Sequence, residues 1–120
     1  MKEFFRGTTP LLRFHYPFEY ARVSKFSVTF YQDGKEKLKL HMGDKEIYQV
    51  EDGLVTVELT EKESKLFKHN FPVDAQLKIL TNDGDVWAGD YEHYQVHRLL
   101  DTDLFTSEHD DDSDDESGEI

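Results

Sequence analysis

The chain has 120 residues, no cysteine and a formal net charge of −12 at pH 7. This length makes one domain that can bury a real core, and the lack of cysteine excludes disulfides and thiolate metal sites. No apolar run approaches the roughly 20 residues of a membrane helix, and the opening lacks the continuous apolar region of a signal peptide. We therefore expect a soluble protein that is made in the cytosol and has no membrane partner.

The negative charge is concentrated at the C-terminal end of the sequence. Residues 108–120 hold eight acidic residues and no Lys or Arg, so residues 1–107 carry 18 acids against 14 bases, a net charge of −4. A run of this composition has almost nothing to bury, which predicts a disordered acidic tail after a folded domain over residues 1–107. Its charge opposes binding to nucleic acid, which requires clustered Lys and Arg.

The first half of the chain alternates apolar and polar residues, the period expected of half-buried strands. Residues 1–10 are interpreted as an extended N-terminal arm. Strands are predicted over residues 12–18, 26–30 and 38–42, with a hairpin turn at residues 32–35 between the last two. The third strand carries Lys and His residues on its outer face.

The second half continues with short strands around one predicted helix. Residues 46–50 form a short fourth strand and residues 54–59 a fifth. Thr60 and Glu63 make a capping box that starts a helix of one or two turns, ended by Asn70 and Pro72. Strands six and seven follow over residues 73–81 and 86–97, with a tight turn at Asp83-Gly84 and a bend or bulge near Gly89.

Turn signals that recur roughly every ten residues between short strands are typical of an all-β sandwich or barrel. The predicted helical corner, of the kind that joins two sheets, favours a sandwich. The fold class is therefore an all-β, immunoglobulin-like sandwich of seven or eight strands with one short helix. The alternation places Val28, Val57, Leu77 and Ile79 in its core.

The sequence contains no motif of a known catalytic or cofactor-binding site. His93 and His97 are four residues apart on a predicted strand, which places them about 13 Å apart on one face, too far to share a metal ion. We expect a protein that is not an enzyme, with no cofactor, no catalytic residue and no metal ligand.

Four aromatic residues are the candidates for partner binding. Trp87 and Tyr91, together with Tyr94, form an exposed platform for a sugar ring in one interpretation, and belong to the core of a small β domain in the other. Phe4 and Phe5 stand on the N-terminal arm, where they either fold back on the domain or dock on a neighbouring molecule. The sequence leaves both pairs of alternatives open.

Two stretches carry a resemblance to a known group of proteins. The segments FFRGTTPLLRF and VELTEKESKLF, the latter followed by VDAQLKILTNDGDVWAG, resemble small β-sandwich proteins of tailed bacteriophages and prophages. They are also similar to the N-terminal domain of phage baseplate upper proteins, over roughly residues 4–100. The resemblance implies a non-enzymatic component of a virion tail, baseplate or attachment, present in several copies.

The leading hypothesis is thus a structural or assembly module of a phage or prophage particle that acts through protein–protein contacts. Its partners would be other virion proteins or further copies of itself, and it would be made in the host bacterial cytoplasm and located in the virion. One alternative is a carbohydrate-binding sandwich module. The other is a cytosolic adaptor or inhibitor whose acidic tail mimics nucleic acid.

Overall fold

The computed structural model describes residues 2–43 and 49–100. This part of the chain contains nine strands, one short α-helix and a single 3-10 turn at Tyr20–Arg22. The helix α1 spans Glu61–Ser64. The strands are β1 Lys2–Phe5, β2 Leu11–His15, β3 Val23–Gln32, β4 Lys35–His41, β5 Gln49–Glu51, β6 Leu54–Glu58, β7 Val73–Thr81, β8 Val86–Ala88 and β9 Glu92–His97.

The strands form two sheets that enclose one core. The large sheet has the order β1-β9-β7-β3-β4, with β8 paired to β7, and the small sheet has the order β2-β6-β5. Strands β1 and β9 are parallel and the other pairs are antiparallel. Two mostly antiparallel sheets that face each other over one core are the architecture of an immunoglobulin-like sandwich. The predicted immunoglobulin-like sandwich is therefore confirmed.

The core contains the residues that the alternation selects. Val28, Val57 and Ile79 have no exposed surface, and Leu77 is 2% exposed. Phe14 from the small sheet meets Phe30 from the large sheet edge to face, with ring centroids 6.4 Å apart. The burial of these residues shows that the inward-facing side chains of β3, β6 and β7 were predicted correctly.

The hairpin turn between β3 and β4 follows from two residues. Asp33 and Gly34 have φ values of 55° and 75°. Two consecutive positive φ values characterise the type I′ turn, whose twist matches that of the strands it joins. The predicted hairpin at residues 32–35 is confirmed.

The predicted helical corner is also confirmed, and it joins the two sheets. The Thr60 hydroxyl accepts a hydrogen bond from the Glu63 amide, and the Glu63 carboxylate accepts one from the Thr60 amide, so the capping box is complete. Buried Gln32 holds the segment after the helix. Its Nε2 donates to the carbonyls of Lys68 and Phe71, and its Oε1 accepts from the Lys68 amide.

The nine strands exceed the predicted seven or eight for two reasons. Lys2–Phe5 is an additional strand where the sequence predicts an arm. The single strand predicted over residues 86–97 is divided into β8 and β9, because the chain leaves the ladder at residues 89–91. Ala88 pairs with Lys78 and Glu92 pairs with Ala75, so this segment holds one residue more than the facing part of β7. The bend predicted near Gly89 is thus confirmed.

Two predictions fall on parts of the chain that the structure does not describe. The fourth strand, predicted over residues 46–50, has its observed counterpart β5 at Gln49–Glu51, and residues 44–48 lie outside the described residues. The acidic tail over residues 108–120 also lies outside them, and its predicted disorder stays a prediction.

Candidate functional site

Phe4 and Phe5 lie on β1, so residues 2–5 of the predicted arm form a strand of the large sheet. Strand β1 pairs in parallel with β9. As in any strand, alternate residues of β1 point to opposite faces of the sheet. Phe4 points inward and is 5% exposed. Its ring lies 5.9 Å from that of Phe67 and 6.0 Å from that of Tyr94. Phe4 is a core residue and is not available to a partner.

Phe5 points to the other face and is 48% exposed. Its ring lies 5.1 Å from the imidazole of His97. The same imidazole contacts the Glu3 carboxylate, with 2.7 Å between Nε2 and Oε1. Of the two phenylalanines, Phe5 alone is positioned as a candidate for partner binding.

The chain after Phe5 is fixed to the helical corner by side-chain hydrogen bonds. The Arg6 guanidinium donates to the carbonyls of Phe67 and Lys65, at 2.6 and 2.9 Å. The Ser64 hydroxyl accepts from the amides of Gly7 and Thr8 and donates to the Thr8 carbonyl. Segments that are far apart in sequence therefore form one end of the sandwich.

Three large apolar side chains are exposed at this end, and we call them the apolar end surface: Phe5, Leu66 and Leu100. Leu66 is 46% exposed. It follows Lys65, whose carbonyl accepts a hydrogen bond from the Arg6 guanidinium. Leu100 follows Leu99, whose Cδ2 would lie 3.6 Å from a Cβ placed on Gly7. Exposed apolar side chains carried by segments that meet at one end of a domain are candidates for contact with a partner.

Trp87 and Tyr91 lie on opposite faces of the large sheet, so they do not form the shared platform for a sugar ring. Trp87 is opposite the buried Ile79 and packs at the margin of the core, edge to face with Phe18 at 6.0 Å. Tyr91 lies on the outer face and is 59% exposed. The bend at Gly89 changes the strand phase between the two residues, and this separates them.

Tyr91 instead lines a cleft on the outer face of the large sheet, which we call the outer-face cleft. It has a volume of about 480 Å³. The cleft is lined by Thr29, Tyr31, Asp74, Ala75, Gln76 and Tyr91. Sequence reasoning missed Tyr31 and Asp74, although the alternation in β3 and β7 assigns both to the outer face. The sequence pattern alone could not show that Tyr31 and Asp74 are direct neighbours in the sheet.

The two histidines on β9 share the outer face, as their spacing predicts, but each has its own carboxylate partner. His93 Nδ1 lies 2.7 Å from Asp74 Oδ1, whereas His97 contacts Glu3. Within the described residues, no three His, Cys, Asp or Glu side chains come together as possible ligands of a metal ion.

No protein-family model matches the sequence, and none of the curated proteins matches it. A solved structure, the V domain of amphioxus IgVJ-C2, is similar to this chain with a TM-score of 0.36 and 14% sequence identity. The similarity covers 81% of this chain and 99% of that chain. In residues 2–43 and 49–100 there is no helix long and apolar enough to cross a bilayer.

Proposed function

We propose that this protein is a non-enzymatic structural module that acts through protein–protein contacts at the apolar end surface. The observation that carries the proposal is the exposure of Phe5, Leu66 and Leu100 at one end of the sandwich. The hydrogen bonds of Arg6 and Ser64 hold this end in a fixed shape. A surface that is ordered before it binds loses less conformational freedom on association.

The sequence resemblance supports a phage or prophage particle as the setting. The two stretches that carry it meet in the structure, because Arg6 and Gly7 from the first contact Ser64 and Lys65 from the second. This contact gives a physical reason for the two stretches to occur together. The partners would then be other virion proteins or further copies of this chain, within a particle assembled in a bacterial host.

A second copy of the chain is the first partner to test. Burial of the exposed apolar side chains of this end against another copy would favour association. Contact between two different faces is heterologous, and such contacts build rings or filaments.

The experiment compares the self-association of two variants by analytical ultracentrifugation. Phe5→Ser combined with Leu66→Ser removes two side chains of the apolar end surface. Val86→Ser is the control, because Val86 is 63% exposed and lies at the opposite end of β7. We expect the double variant to raise the dissociation constant by about tenfold or more, which corresponds to about 1.4 kcal/mol. We expect Val86→Ser to leave it unchanged.

Two results would contradict the proposal. One is a wild-type protein that stays monomeric at millimolar concentration and in the presence of virion proteins encoded beside it. The other is association that both variants weaken equally. Urea denaturation of each variant checks that the folded state is retained, which is expected because Phe5 and Leu66 are each about half exposed.

A further inference from the structure

We propose that the outer-face cleft binds a neutral saccharide, with one sugar ring seated between Tyr31 and Tyr91. This inference goes beyond the proposed structural role and does not depend on it, because the cleft and the apolar end surface share no residue. It also differs from the platform of Trp87 and Tyr91, which the structure separates.

The cleft is built from two neighbouring rows of residues across β3 and β7. Tyr31 pairs with Asp74 in one row, and Thr29 pairs with Gln76 in the next. Adjacent residues of a row have their side chains on the same face of the sheet. The volume of about 480 Å³ lies within the range of about 300–1,000 Å³ for pockets that bind small ligands.

Aromatic rings stand on both sides of the cleft. Tyr31 is 47% exposed and Tyr91 is 59% exposed. The ring of Tyr91 is supported by His93, with ring centroids 6.5 Å apart and planes near perpendicular. A sugar ring presents its C–H groups on its faces and its hydroxyls around its edge. Exposed tyrosine rings can therefore cover a face of the sugar while the polar groups of the cleft bind its edge.

The polar groups between the tyrosines suit hydroxyls. The Asp74 carboxylate accepts two or more hydrogen bonds, and His93 holds it in place through Oδ1. The Gln76 Nε2 donates to the Gly89 carbonyl at 2.8 Å, which fixes the plane of the amide and the direction of its acceptor Oε1. The Thr29 hydroxyl both donates and accepts. Neighbouring hydroxyls of a sugar require such a mixture of donors and acceptors.

An anionic ligand fits these residues less well. An anionic ligand would meet the Asp74 carboxylate and a chain of net charge −12. A neutral polyhydroxylated ring meets neither obstacle.

The test is a titration of the ¹⁵N-labelled full chain with a panel of defined neutral oligosaccharides. The panel contains maltotriose, laminaritriose, cellotriose, mannotriose and chitotriose, each at millimolar concentration. We expect at least one of them to shift the backbone amides of Thr29, Tyr31 and Gln76, and to leave those of Phe5 and Leu66 unchanged. Amide shifts locate the ligand in the wild-type protein, so this result does not require a variant to fold.

Tyr91→Ala measures the contribution of stacking to the affinity. Tyr91 precedes β9 and lies outside every strand, so the substitution leaves the ladder intact. We expect it to weaken the binding of the responsive oligosaccharide by about tenfold. Tyr20→Ala is the matched control, since Tyr20 is 44% exposed and lies outside the cleft. We expect this control to bind as the wild type does.

Three outcomes would overturn the inference. The first is the absence of any amide shift with the whole panel. The second is a set of shifts outside the cleft, which would place the binding elsewhere. The third is affinity that Tyr20→Ala and Tyr91→Ala reduce equally. The self-association measurement on Phe5→Ser with Leu66→Ser is independent of all three, so failure of either proposal can be recognised separately.

Discussion

The hydroxyl of Tyr94 is a buried polar group at the centre of an aromatic cluster. Tyr94 is 2% exposed, and its ring packs on Phe4. Its oxygen finds no hydrogen-bond partner among the described residues. A polar group that loses its contact with water without gaining a partner lowers the stability of the folded state. The ring therefore contributes favourable packing, whereas the oxygen contributes a cost.

Replacement of Tyr94 by Phe tests this cost directly. The variant keeps the ring and removes the oxygen, so we expect the free energy of unfolding to rise by about 1 kcal/mol. Urea denaturation at pH 7 measures the change. Tyr31→Phe is the control, because its hydroxyl is on a half-exposed side chain and its loss should leave stability nearly unchanged. A destabilised Tyr94→Phe would show that the hydroxyl is bonded in solution.

The same residue adds a dependence on alkaline pH. Burial, with a smaller effect of the Glu92 carboxylate, raises the pKa of Tyr94 above the value of about 10 for a free tyrosine. The folded state then holds its proton more tightly than the unfolded state does. Proton release from Tyr94 therefore leaves the free energy of unfolding unchanged below about pH 10 and lowers it as the pH rises above that value. Tyr94→Phe should therefore lose less stability than the wild type between pH 10 and pH 12.

At the scale of elements, β1 determines how the edge of the large sheet is closed. It joins β9 in parallel, and the Arg6 amide extends the pairing by a bond of 3.0 Å to the His97 carbonyl. Phe4 inserts between Phe67 and Tyr94 from this strand. The strand is thus part of the folded domain, and its removal would expose two further aromatic rings.

The two phenylalanines of β1 should differ sharply in their effect on stability. Phe4→Ala leaves a cavity in the core and should cost about 3–5 kcal/mol. Phe5→Ala removes a half-exposed ring and should cost less than about 1 kcal/mol. Urea unfolding of both variants supplies the comparison, with each variant acting as the control for the other. Equal losses would mean that β1 does not pack on the core in solution.

Local patterns predicted most of the elements, and long-range pairings account for what they missed. Alternation over residues 26–30 and 73–81 set the core faces of β3 and β7, and the Thr60 capping box located α1. Strand β1 was missed because adjacent phenylalanines show no alternation and its partner β9 lies at the other end of the chain. The outer-face cleft was missed for a related reason, since Tyr31 and Asp74 are 43 positions apart and only the sheet brings them together.

At the scale of the whole molecule, charge is the property that most affects contact between copies. The chain has a net charge of −12, and residues 108–120 contribute eight of its acidic residues. Two copies repel each other at low ionic strength, where charges act over about 30 Å at 0.01 M salt and about 10 Å at 0.1 M. Self-association of the full chain should therefore strengthen as salt is added.

Deletion of residues 108–120 should strengthen self-association at low salt, because it lowers the net charge from −12 to −4. Folding stability should change by less than about 0.5 kcal/mol, since a run of polar residues has little apolar surface to bury. Sedimentation at low and high salt measures the first effect, and urea unfolding the second. A chain of full length with the tail acids changed to Asn and Gln is the control, and it should behave like the deletion if charge is the cause. Loss of association in both variants would instead make the acidic tail part of the contact between copies.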